Sequence, residues 1–64
     1  MIIDGEEYTE YDAMAIFESD DAVRFDDGDK KFWIPKSNME DWPNIGQTGT
    51  ILVKLWFAHD EGLI

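Results

Sequence analysis

Asp26-Asp27-Gly28-Asp29 stands between two short runs of β-forming residues, 22–25 and 30–35. Asp-Gly in that setting is a strong hairpin signal, because the turn needs positive φ and glycine adopts it without a Cβ clash. The returning run carries Phe32, Trp33 and Ile34 and stops at Pro35, which lacks an amide donor and therefore ends a strand or lies on an edge. With that hairpin placed, few folds remain open to 64 residues without cysteine. There is room for one domain, 1–64, and no disulfide to staple it. Cohesion must come from an apolar core. The chain is 44% hydrophobic and 14% aromatic, which supplies one and argues against wholesale disorder.

The rest of the chain extends the β reading. Residues 1–10 are acidic and weakly patterned, suited to a frayed arm or a first edge strand. From Tyr11 a two-residue alternation begins, with Tyr11, Ala13, Ala15 and Phe17 on one face and Asp12, Met14, Ile16 and Glu18 on the other. Ala, Met and Glu leave a helix open over 10–17, but the segment is short and a turn follows at Glu18-Ser19-Asp20-Asp21. Ser37 with Glu40 forms a capping-box pattern for one helical turn over 37–41. Residues 42–49 are rich in breakers and read as a loop, and 50–55 are β-branched and aliphatic and read as a strand. Residues 56–62 permit a closing helical turn that Gly62 ends. The expected fold is mainly β: a small single-domain antiparallel curved sheet or β-barrel of four to five strands with one short helical turn.

Charge separates the function classes. Fifteen acids against five bases leave −10, and residues 1–29 hold eleven of the acids and one base, so the whole net charge sits there. Such a chain repels nucleic acid and anionic membranes, which are bound by displacing counterions with Lys and Arg. It is drawn to basic protein surfaces, with an on-rate that falls as salt rises. The absence of cysteine and of a signal-peptide pattern at the N-terminus leads us to expect a cytoplasmic protein.

No catalytic pattern emerges. His59 is the single histidine and Arg24 the single arginine. His59 beside Asp60 is adjacency along the chain and not triad geometry. Gly46-Gln47-Thr48-Gly49 lacks the lysine and spacing of a phosphate loop. A calcium loop with Gly28 at its sixth position would place Val23 and Phe25 where carboxylates are needed. We therefore expect neither an enzyme nor a metal site nor a cofactor.

From Lys30 onward the order of features is specific. Trp33-Ile34-Pro35-Lys36-Ser37 is followed by Glu40-Asp41-Trp42, then Gly49-Thr50, the aliphatic run 51–55, and Trp56-Phe57-Ala58-His59-Asp60-Glu61-Gly62-Leu63. Over residues 20–64 this resembles a small β-module found in many bacteriophage proteins. The resemblance implies a phage origin and a β fold, and carries no catalytic residues with it. In size and charge the chain is also similar to phage DNA-mimic inhibitors, anti-CRISPR and anti-restriction proteins among them.

These readings converge on a binding protein, a viral inhibitor working by protein–protein interaction. Carboxylates on alternate strand positions lie about 6.6 Å apart, so they and the hairpin tips can approximate a row of phosphates. The expected partner-binding residues are Glu10, Asp12, Glu18, Asp20, Asp21, Asp26, Asp27 and Asp29. Trp42, in a loop before Pro43, is the expected exposed aromatic anchor. The expected partner is the basic surface of a host protein, one that itself binds nucleic acid, met in the host cytoplasm. A different class of function is a non-enzymatic adaptor or phage-assembly subunit using its aromatic surface. A homodimer covering an open sheet edge is compatible with either.

Overall fold

A computed structural model describes the chain from Met1 to Ile64. Its elements are β1 (Ile2–Ile3), β2 (Glu6–Glu18), β3 (Ala22–Asp26), β4 (Lys31–Pro35), a 3-10 turn at Lys36–Asn38, β5 (Met39–Asp41), β6 (Thr48–Lys54) and α1 (Leu55–Asp60). The strands form one open antiparallel sheet in the order β4-β3-β2-β6-β5, with β1 added to β2. The mainly β expectation is met, with six strands in place of four or five and with a sheet that does not close.

The spine is β2, 13 residues long. Residues 8–14 pair with β6 and residues 14–18 with β3, so ladders run along both its sides. This pairing overrides the helix preference of its Ala, Met and Glu residues, because each strand position gains cross-strand contacts that an isolated helix cannot match. The extra strand β1 arises from a second Asp-Gly turn. Asp4 and Gly5 have φ of 50° and 81°, the two positive values that a tight primed hairpin turn requires. The sequence signal is the same one that marks the β3–β4 hairpin.

The core lies on one face of the sheet. Ala15, Val23, Phe25, Ile34, Ile51 and Val53 are fully buried there, and Phe57, Ala58 and Leu63 from the C-terminal segment cover them. Two expected details are corrected. Phe17 does not share the face of Ala13 and Ala15. A bulge between Ala15 and Phe17 sets Phe17 opposite Arg24, on the outer face, where it is exposed. The helical turn expected over 37–41 is a 3-10 turn that ends at Asn38 without a side-chain cap, and Met39 goes directly into β5. Pairing of Met39 with Val53 buries Met39 in the core, and that burial outweighs the capping-box pattern.

Gly49 pairs with Ala13, and a Cβ built on it would stand 3.1 Å from the Pro43 Cβ. A side chain there would press on Pro43, which would have to give way by a few tenths of an ångström, so glycine leaves room for the loop after β5 to lie against the sheet. Gly49→Val is expected to cost about 1–3 kcal/mol through overpacking. Urea unfolding should show a lower midpoint at an unchanged m-value.

Candidate partner-binding surface

The acidic residues fall into two groups at opposite ends of β3. One surrounds the β3–β4 hairpin. Asp12, Asp26 and Asp27 line an open cleft of about 400 Å³ with Met14 and Thr48, and Asp29 stands exposed at the hairpin tip. The other is the β2–β3 turn, with Glu18, Asp20 and Asp21, all exposed. Glu10 lies farther along β2 on the outer face, opposite Leu52. The eight carboxylates therefore do not form a single row.

Several of them are already occupied. In the hairpin Asp27 Oδ1 accepts the amides of Asp29 (2.9 Å) and Lys30 (2.8 Å), and Oδ2 accepts the Tyr11 hydroxyl at 2.5 Å. Asp26 Oδ1 accepts the Gly28 amide at 2.8 Å. Asp12 Oδ1 accepts the Thr50 hydroxyl at 2.9 Å, and Glu18 holds the Lys36 ammonium at 2.6 Å. No ion pair or side-chain hydrogen bond involves Glu10, Asp20, Asp21 or Asp29, which leaves these four as the freest carboxylates of the set. The hydrogen bond from Tyr11, then the amides of Lys30 and Asp29, hold the Asp27 carboxyl below its usual range. The same bond, with burial second, pushes the Tyr11 hydroxyl up to about 12. Burial, with the negative field of Glu40, Glu6 and Asp4, also raises the Tyr8 hydroxyl.

Trp42 is not the exposed tryptophan. It is half-buried and packs against the core, in the loop that Pro43 and Gly49 clamp to the sheet. The exposed ones are Trp33 at 42% and Trp56 at 53%. Trp33 belongs to a cross-strand row, Phe17–Arg24–Trp33, on the outer face. The Phe17 and Trp33 rings meet edge to face, with centroids 5.9 Å apart, over the strand that carries Arg24. The Arg24 guanidinium lies 5.8 Å from the Trp33 ring centroid, within cation–π range. Its Nε is buried without a hydrogen-bond partner, and no carboxylate pairs with it. Alternation alone hid this row, because it places Phe17 on the core face; only the bulge brings Phe17 to Trp33.

His59 is exposed in the last turn of α1, and no three His, Asp or Glu side chains converge to hold a metal ion. No helix is long and apolar enough to cross a membrane. Compared with protein families, curated proteins and solved structures, the chain matches none.

Proposed function

We propose that this chain is a non-enzymatic inhibitor of phage origin. It blocks a host DNA-binding or defence protein, of the anti-CRISPR or anti-restriction type, by acidic mimicry of DNA in the host cytoplasm. The phage origin rests on the module resemblance. The mimicry rests on one observation: acidic groups at both ends of β3, with Asp20 and Asp21 free at one and Asp29 at the other. β3 runs from Ala22 to Asp26. At the usual rise per residue β3 is about 13 Å long, so the free carboxylates beyond its two ends stand farther apart than that, a span of several phosphates along a DNA strand. A basic cleft shaped for duplex DNA can engage both ends at once, and charge steering speeds its capture.

The test is capture from host lysate at physiological salt, followed by titration of each captured protein with duplex DNA. The comparison variant carries Asp20→Asn, Asp21→Asn and Asp29→Asn, which spare the hydrogen-bonded Asp26 and Asp27. The expected result is a DNA-binding protein retained by the wild type, released by DNA and by rising salt, and lost by the variant. A target that holds DNA and this protein together would contradict mimicry. If both forms retain the same partner with little salt dependence, the second reading takes over: an adaptor or phage-assembly subunit whose aromatic surface carries affinity. That reading rests on the exposed Phe17–Trp33 pair.

A further inference from the structure

Apart from the two-residue β1, the sheet has two outer edges, and they differ. β5 is three residues long, is broken by an irregularity between Met39 and Asp41, and exposes Glu40 and Asp41. Like charges blunt it against a second copy. β4 is five residues long and regular throughout its pairing with β3. The Asp27 amide bonds the Lys30 carbonyl at 3.1 Å, and the Lys36 amide bonds the Asp21 carbonyl at 2.8 Å. In an antiparallel ladder hydrogen-bonded pairs alternate, so these two bonds fix the phase. Phe32 and Ile34 turn their main-chain groups toward β3. Lys31, Trp33 and Pro35 turn theirs toward the open side, where no strand pairs with them.

We infer that the β4 edge, with the Phe17–Trp33 pair beside it, is a self-association surface, and that its occupant is the β4 strand of a second copy in antiparallel two-fold pairing. The register follows from the strand itself. Trp33 is the central residue of β4. A two-fold axis through it sets each Trp33 opposite its counterpart and each Lys31 opposite Pro35. The amides of Trp33 and Lys31 in both copies then find carbonyl acceptors. Pro35 has no amide to leave unsatisfied and serves only as an acceptor. The lone leftover group is the Lys31 carbonyl, at the solvated end of the ladder. Opposed residues of an antiparallel pair share a face, so the two Trp33 rings come together on the outer side with Phe17 flanking each.

Charge fits this register. Lys31 enters no ion pair in the single copy. In the pair it moves to the partner's Pro35 end, beside the acidic β2–β3 turn. The two Lys31 residues stay about 13 Å apart, four strand positions, which exceeds the ~8–10 Å Debye length at physiological salt. The lysine that ordinarily protects an edge is thus displaced from the centre of this one. Opposing association is the net charge of −10 on each copy. One short strand and two aromatics per side form a small interface, below about 1,200 Å² in total, so the dimer is weak and reversible.

The measurement is sedimentation equilibrium of the whole chain from micromolar to millimolar concentration, at low and high salt. The expected mass rises from 7.4 kDa toward twice that value, and rises further at high salt because screening removes the mutual repulsion. This is opposite in sign to the salt dependence of capture by a basic partner, so failure of one reading is distinguishable from failure of the other. Trp33→Lys places like charges on the two-fold axis and should hold the mass at the monomer value. Amide exchange at Trp33 and Lys31 in the unmodified chain needs no variant, and should slow as concentration rises. A monomer at every concentration, a dimer that Trp33→Lys leaves intact while the fold persists, or concentration-independent exchange at both amides would each overturn the inference.

Discussion

Phe25→Ala is expected to remove about 3–5 kcal/mol of stability, the usual cost of truncating a buried phenylalanine. Phe25 is fully buried on β3, paired opposite Phe32, with ring centroids 6.0 Å apart. Phe32 in turn meets Tyr11 edge to face at 6.0 Å, so the three rings tie β2, β3 and β4 together. A cavity at Phe25 takes contacts from all three strands. It cannot collapse easily, because the sheet backbone holds its neighbours in register. A domain of this length carries roughly 3–10 kcal/mol in total, so the loss removes a large share of it and, at the low end of that range, unfolds the domain. Circular dichroism and urea titration read this directly. A midpoint within error of the wild type would mean that the packing around Phe25 is not what holds the hairpin to the sheet.

Among single acid-to-alanine changes, Asp27→Ala is expected to lower the melting temperature most. Asp27 accepts three hydrogen bonds, two closing the hairpin and one from Tyr11 that ties the hairpin to β2. Most other carboxylates are solvated, and their removal relieves repulsion in a chain of net charge −10. Asp20→Ala and Asp21→Ala should therefore be neutral or stabilising, while Asp27→Ala is destabilising. The pH dependence follows from three shifted groups: Asp27 and Tyr11 share one hydrogen bond, and Tyr8, also raised, adds to the alkaline limb. The Asp27 carboxyl is lowered when folded, so its contribution is complete above the unfolded value near 3.8 and is lost as pH falls through the lower folded value. The Tyr11 hydroxyl is raised, so its contribution is complete below 10.0 and is lost as pH rises from there through about 12. In Tyr11→Phe the alkaline loss assigned to Tyr11 should disappear. If the alkaline limb is unchanged in that variant, the Tyr11–Asp27 bond is not its source.

The difference between Asp27 and Asp20 shows why the candidate surface was only partly legible in the chain. Both are aspartates in acidic turns, and composition treats them alike. Whether a carboxylate is free depends on what the fold brings beside it. The Tyr11 hydroxyl comes from 16 residues away. The Thr50 hydroxyl reaches Asp12 from 38 residues away. Trp42 and Trp33 make the same point with aromatics. A loop position suggested exposure for Trp42, yet the space left by Gly49 lets that loop settle on the core.

What this chain determined by itself is local. Asp-Gly with a compatible neighbour sets a turn, alternation sets a strand, Pro35 ends one, and the count of acids sets the net charge. These depend on backbone sterics and charge that each residue carries wherever it lies, which is why β3, β4, β6 and the closing turn begin within two residues of where the sequence puts them, β6 starting at Thr48 and the helix at Leu55. The bulge at Ile16, the burial of Met39 and the separation of the acids to two ends of β3 were decided by tertiary structure. Each is a compromise between segments distant in sequence. One strand pairing on both sides must satisfy two registers, and a bulge is how the chain accommodates both. That adjustment turns Phe17 outward to meet Trp33, and so creates an exposed aromatic surface that no stretch of the sequence contains.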